Sequence, residues 1–160
     1  MPSRIAKTLL AASAGLLILL VGINNLIDYG TNFAIVEHVL AMDSLPAGAA
    51  LTWRAITSPI AHHLVYGFII AVELGAGALT LRGADQMRRA LRATSEKFTA
   101  SKQLAVLGLA LGFWLYFFGF MTVGAEWFQM WRSQTVNMQE PAFRFIGMIG
   151  LVMIFVGQGE

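Results

Sequence analysis

Polar side chains are scarce along four stretches of this chain and crowd between them. The stretches run over about residues 8–27, 59–81, 103–123 and 141–157. Each is close to the roughly 20 mostly apolar residues that a helix needs to cross a bilayer. Two connecting segments keep apolar residues at helical spacing. In "YGTNFAIVEHVLAMDSLPAG" these are Phe33, Val36, Val39 and Leu40, with Thr31 or Asn32 as a start signal and Pro46 and Gly48 as a stop. "GAEWFQMWRSQ" reads similarly, with Trp127, Phe128 and Trp131 suited to a headgroup belt. Pro59 and Pro141 then open the following spans, as proline does in a first helical turn. The expectation is an all-α membrane protein, a single four-helix transmembrane domain over 1–160. Its spans form two hairpins, each carrying an amphipathic outer segment.

Composition supports the pattern. Hydrophobic residues make up 57% and charged residues 12%, against about 25% charged in a soluble domain. Arg4 and Lys7 precede the first span as in a signal peptide, but its apolar run is longer than a signal core and no small-x-small cleavage site follows, so it reads as a retained helix. With no cysteine, thiol chemistry and iron–sulfur ligation are excluded. The net charge of +2 is too small for a nucleic-acid partner.

The placement of charge says more than its sum. Arg4, Lys7, Arg82, Arg88, Arg89, Arg92, Lys97 and Lys102 gather at the N-terminus and in the middle loop, leaving Arg54, Arg132 and Arg144 on the other side. Positive charge stays cytoplasmic, which implies a four-span protein with both termini inside. The middle loop "RGADQMRRALRATSEKFTASK" reads as a short basic helix along anionic lipid.

Glu73 stands inside the second span. Counted from the span's start it falls near the bilayer midplane, where an ionised side chain costs several kcal/mol. Such a carboxyl must be protonated, hydrogen-bonded or facing trapped water. His62, Tyr66, Glu73, Gly77 and Thr80 share one stripe of that helix, whereas Gly67, Ala71 and Gly75 lie opposite at close-approach spacing. Depth counting offers Ser13 and Tyr116 as partners of Glu73, with Asn24 and Asp28 continuing the Ser13 stripe. Glu73 either fixes the register of two helices, handles protons or ions, or contacts a partner or lipid headgroup. Gly108 and Gly112 in the third span, and Gly147 and Gly150 in the fourth, are further packing candidates.

The outer side collects Asp28, Asn24, His38, His62, Glu126 and Arg144. Arg144 occupies a first helical turn, where the dipole disfavours a cation; Glu126 is the preferred counter-ion, ahead of Glu140 and Asp28. His38 and His62 are weak metal candidates because no recognised ligand spacing supports them. No cofactor is expected from a motif, although a lipid or quinone could bind between the outer segments and the bundle.

"DYGTNF", "VEHVLAMD", "WRAI", "GAEWFQMW", "NMQ" and "AFRF", with Tyr66 and Glu73, resemble over nearly the whole chain a bacterial family of predicted small integral membrane proteins, domain of unknown function 2165. The resemblance implies four spans in a cytoplasmic membrane and no particular activity. The residues themselves favour a non-enzymatic accessory or structural subunit of a larger inner-membrane assembly of respiratory or photosynthetic type. Its partners would be membrane lipids and other membrane-protein subunits, or further copies of itself. A small proton-coupled transporter or ion-binding protein using Glu73, and a metal-, quinone- or lipid-binding protein, are the alternatives.

Overall fold

A computed structural model describes residues 1–159. Six α-helices carry the fold: α1 (Pro2–Ile27), α2 (Tyr29–Ala41), α3 (Pro59–Arg89), α4 (Ser95–Ser101), α5 (Gln103–Trp114) and α6 (Gln139–Gly157). α5 runs straight on into a π-helix, Leu115–Trp127, and short 3₁₀ turns occupy Thr52–Arg54 and Met130–Arg132. Among the described residues, four helical stretches are long and apolar enough to cross a membrane: Pro2–Ile27, Pro59–Arg89, Ser95–Trp127 and Gln139–Gly157. The protein is thus an all-α membrane protein, as its polarity pattern predicts.

The spans alternate in direction. α3 lies between α1 and α5, and α6 closes the bundle against α5, the π-helix and α1. Without water to expel, helices in lipid associate through close packing and interhelical hydrogen bonds, so small residues mark the seams. At Gly15 a methyl would come 3.0 Å from the Thr80 side chain. At Gly77 it would come 2.6 Å from the backbone nitrogen of Leu19, and at Gly108 2.6 Å from the Ala76 carbonyl. These backbones touch. Thr80 is buried in the seam because its hydroxyl donates to the Ala76 carbonyl in its own helix at 2.7 Å. Above and below, Ile18, Leu109, Tyr116 and Ile149 fill one core, and Ala11, Met87, Phe98 and Val156 another.

Several elements differ from expectation. The basic middle loop is not one surface helix: its first eight residues prolong α3 to Arg89, and α4 follows after a turn. That end closes because Phe98 is buried, Arg4 stacks on its ring at 4.9 Å, and Arg4 Nη1 donates to the Ala93 carbonyl at 2.7 Å. Lys7 and Lys102 are also buried there, and both donate to the Gln158 carbonyl. The second aromatic segment is the end of the π-helix followed by a 3₁₀ turn, not an amphipathic helix. α2 starts at Tyr29, directly after Asp28 breaks from α1, and folds over the bundle end. Leu40, Met42 and Phe128 form a third small core beneath it.

The predicted glycine seams separate into two kinds. Gly108, Gly112 and Gly150 are in contact with other helices, whereas Gly67, Gly75 and Gly147 have nothing within 4 Å of an added methyl. Sequence spacing alone treats them alike, because close approach also needs a partner helix at that azimuth. Gly77→Ala and Gly108→Ala should each cost about 1–3 kcal/mol through forced helix separation. Gly67→Ala and Gly75→Ala should stay within about 0.5 kcal/mol. Unfolding titrations in mixed detergent micelles measure both sets.

Candidate functional site

Glu73 is 1% exposed and projects from α3 into the bundle. A carboxyl removed from water needs hydrogen-bond donors, and it has two. Asn25 Nδ2 donates to Oε2 at 2.7 Å, and the Tyr116 hydroxyl donates to Oε1 at 3.1 Å. Asn25 is itself held from two sides: Asn32 Nδ2 donates to its Oδ1 at 2.6 Å, and the Tyr66 hydroxyl to its backbone carbonyl at 3.3 Å. The network joins α1, α2, α3 and the π-helix through five side chains.

Local sequence explains each position. Ala11, Gly15, Ile18, Gly22 and Asn25 follow one another at alternating four- and three-residue steps along α1, which keeps them on one stripe. All are buried, and they face α3. Gly22 lies against the Glu73 side chain, where an added methyl would be 3.0 Å from Cβ. This bare spot lets Asn25, one turn on, reach the carboxyl. Tyr116 opens the π-helix and stacks on Phe145 of α6 with ring centroids 4.5 Å apart. A π-helix is rare beyond a single turn and recurs at functional sites. Here it spans 13 residues, and Phe128 N–H reaches the Val123 carbonyl five residues back.

Beside the network is a cleft of about 120 Å³, lined on one side by Asn25, Asn32, Tyr66, Glu73 and Tyr116. Phe120, Pro141 and Phe145 form much of the opposite wall. Glu73 uses one acceptor position on each oxygen, and a carboxylate has about four. Each oxygen therefore has a donor, and the carboxyl retains acceptor capacity toward the cleft.

Of the residues that depth and periodicity nominate, Glu73, Tyr66 and Tyr116 do come together. Ser13 does not. It is exposed and lines a groove between α1 and α6 with Leu10 and Met148. It lies roughly 18 Å along α1 from Asn25, at about 1.5 Å per residue. The miscount has a geometric cause. Gly22 faces Glu73 across antiparallel helices, so Ile27 falls level with about residue 68, roughly 13 Å past Pro59. α3 begins well beyond the end of α1, so positions at equal counts from the two outer ends do not lie level. Asn24 is exposed, and its neighbour Asn25 takes the expected role.

The remaining outer residues form no single cluster. Asp28 is the exposed junction between α1 and α2. His38 pairs with Asp43 at 2.9 Å. His62 is buried, its Nε2 donates to the Ile56 carbonyl at 2.7 Å, and Glu37 is 3.8 Å from its Nδ1. Among the described residues, no three His, Cys, Asp or Glu side chains converge as metal ligands. Arg144 pairs with Glu140, not with Glu126, because four residues on a helix bring the two side chains together. Glu126 is exposed. A contact that sequence reading missed ties the two loops: Arg54 lies over the Trp127 ring at 4.4 Å, and its Nη1 donates to the Trp127 carbonyl at 3.2 Å.

Comparison with known proteins gives one match. The family described as predicted small integral membrane protein, DUF2165, matches residues 3–159. No curated protein and no solved structure matches.

The network predicts an order of sensitivity. Asn25→Ala leaves Glu73 Oε2 and Asn32 without their partner and should cost about 1–3 kcal/mol. Tyr116→Phe removes one interhelical bond and should cost about 0.6 kcal/mol, at most roughly 1.7. Asn24→Ala and Ser13→Ala should be silent. Unfolding in mixed micelles ranks all four.

Proposed function

The chain belongs to the DUF2165 family of small integral membrane proteins, and on that premise we propose that it is an accessory, non-catalytic subunit of a larger bacterial inner-membrane assembly. One observation carries this reading. α3 has two faces with opposite fates: the Tyr66–Glu73–Gly77–Thr80 face is buried in the bundle, while Gly67, Ala71 and Gly75 are exposed. Acyl chains gain nothing from a row of small residues, whereas a neighbouring helix gains close backbone contact. The occupant is an apolar spanning helix of another subunit, crossing α3 between Gly67 and Gly75.

The surrounding surface is consistent with this. Only 33% of the most apolar window in each of the first three spans is buried within the chain, and 22% in the last. Beside the open face, Phe68 and Trp114 are both exposed and meet edge to face at 6.3 Å. Arg4, Arg88 and Arg89 share one end with the Lys7–Gln158 contact. The tendency of cationic ends to remain cytoplasmic supports both termini inside.

The chain has no native cysteine, so Ala71→Cys introduces a single thiol on the open face. In native membranes it should cross-link to a different polypeptide, while Leu151→Cys on exposed α6 should not. Gly67→Ile should abolish the cross-link without lowering monomer stability. Cross-linking of Ala71→Cys only to a second copy of itself, or free labelling by an apolar maleimide, would overturn the accessory-subunit reading.

A further inference from the structure

A second cleft, of about 220 Å³, adjoins the one beside Glu73. Ile35, Val36, Ile69, Phe120 and Met138 line both, so only those side chains separate the two spaces. Its wall is wholly apolar. Val65 and Phe68 of α3, Trp114 of α5 and Phe118 of the π-helix form its rim and are exposed, so it opens sideways, between α3 and the third span, into the region that acyl chains occupy. α2 roofs both spaces. The two clefts adjoin across the shared side chains: an apolar entrance from the lipid and a small polar end bearing a carboxyl, two carboxamides and two phenols.

We propose that the two clefts together bind an isoprenoid quinone or quinol, with the ring beside Glu73 and the apolar tail leaving between Phe68 and Trp114. Three features select that class. The polar end, at about 120 Å³, is smaller than the cavity of about 150 Å³ that takes benzene, so a ring would occupy it together with part of the adjoining apolar cleft of about 220 Å³. It offers acceptors, from Glu73, and donors, from the second N–H of Asn25 and of Asn32, which suits a ring carrying hydroxyl or carbonyl oxygens at opposite edges. No Lys or Arg lines either space, so a phosphate headgroup would meet a carboxyl with no cation to offset it. A phospholipid could fill the apolar cleft with an acyl chain but gains nothing at the polar end.

The reading rests on the two clefts and not on the small-residue face of α3, and its test uses binding to the isolated chain alone. Decylubiquinone is titrated into the detergent-purified full chain, with quenching of tryptophan fluorescence as the readout. Trp114 stands at the mouth as a native reporter. Saturable quenching is expected. Ile69→Trp, which fills the partition between the spaces, should abolish the saturable component, whereas Ile69→Ala should retain or strengthen it. A residue that only supported the fold would weaken binding in both variants. Glu73→Gln should weaken binding about tenfold, the loss of one buried polar contact, and far-ultraviolet circular dichroism verifies that each variant is folded. Solvent extraction of the purified protein identifies the resident molecule, and quinone is expected. Quenching that is non-saturable, or equal in wild type and Ile69→Trp, overturns the proposal, as does phospholipid that decylubiquinone cannot displace.

Discussion

A carboxyl placed among apolar helices has to find donors on other helices, and the rest of the bundle is arranged around that requirement at Glu73. The donors come from α1 and from the π-helix, at 2.7 and 3.1 Å. Both can reach only if backbones run close. Gly22 supplies that closeness: its missing side chain is the space into which the Glu73 stem fits. The polar bond and the small-residue seam are thus one device. A side chain at position 22 would push α1 outward and draw Asn25 off the carboxyl. An unpaired Glu73 would leave the tight Gly15–Thr80 contact without the specific bond that sets its register. In lipid this matters more than in water, since apolar side chains gain little by leaving one apolar medium for another.

The π-helix is the second half of the arrangement. Regular α geometry stops at Trp114, and the wider turn that follows displaces the Tyr116 ring toward α3 and α6. Aromatic rings of this segment lie in pairs four residues apart, Trp114 on Phe118 at 5.4 Å and Tyr116 with Phe120 at 5.5 Å. The first pair borders the lipid and the second borders the polar cleft. One irregular segment therefore forms both a wall of the apolar space and a donor of the polar network. α2 completes the enclosure through Asn32, whose bond to Asn25 links the roof to the register of α1 and α3.

Periodicity and depth bring out much of this. Four spans, the prolines that open two of them, and the inward stripe of Tyr66, Glu73, Gly77 and Thr80 are all readable from residue spacing. Tyr116 is legible because counting through the third span brings it level with Glu73. Asn25 was legible too: the Ala11–Gly15–Ile18–Gly22 stripe ends on it and not on Asn24. Ser13 comes level with Glu73 only if every span is counted inward from its outer end, which assumes that the helices end at one plane. α3 overshoots α1 by two turns, and nothing in the apolar pattern marks that. The π-helix is hidden for another reason. Its residues, Leu115–Trp127, include no proline and continue the apolar pattern of α5, and nothing in that pattern marks the change of hydrogen-bond register.

The open and packed faces of α3 meet within one turn. Val65, Phe68 and Ile69 line the apolar space, and Gly67 and Ala71, interleaved with them, belong to the exposed face. Adjacent helical positions point about 100° apart, so these surfaces are neighbours around the same backbone. A helix packed on Gly67 would press against the exposed edge of Phe68 and narrow the mouth of the cavity. A tail leaving past Phe68 would in turn lie beside that helix. A bound tail and a packed helix would therefore share Phe68 as a neighbour.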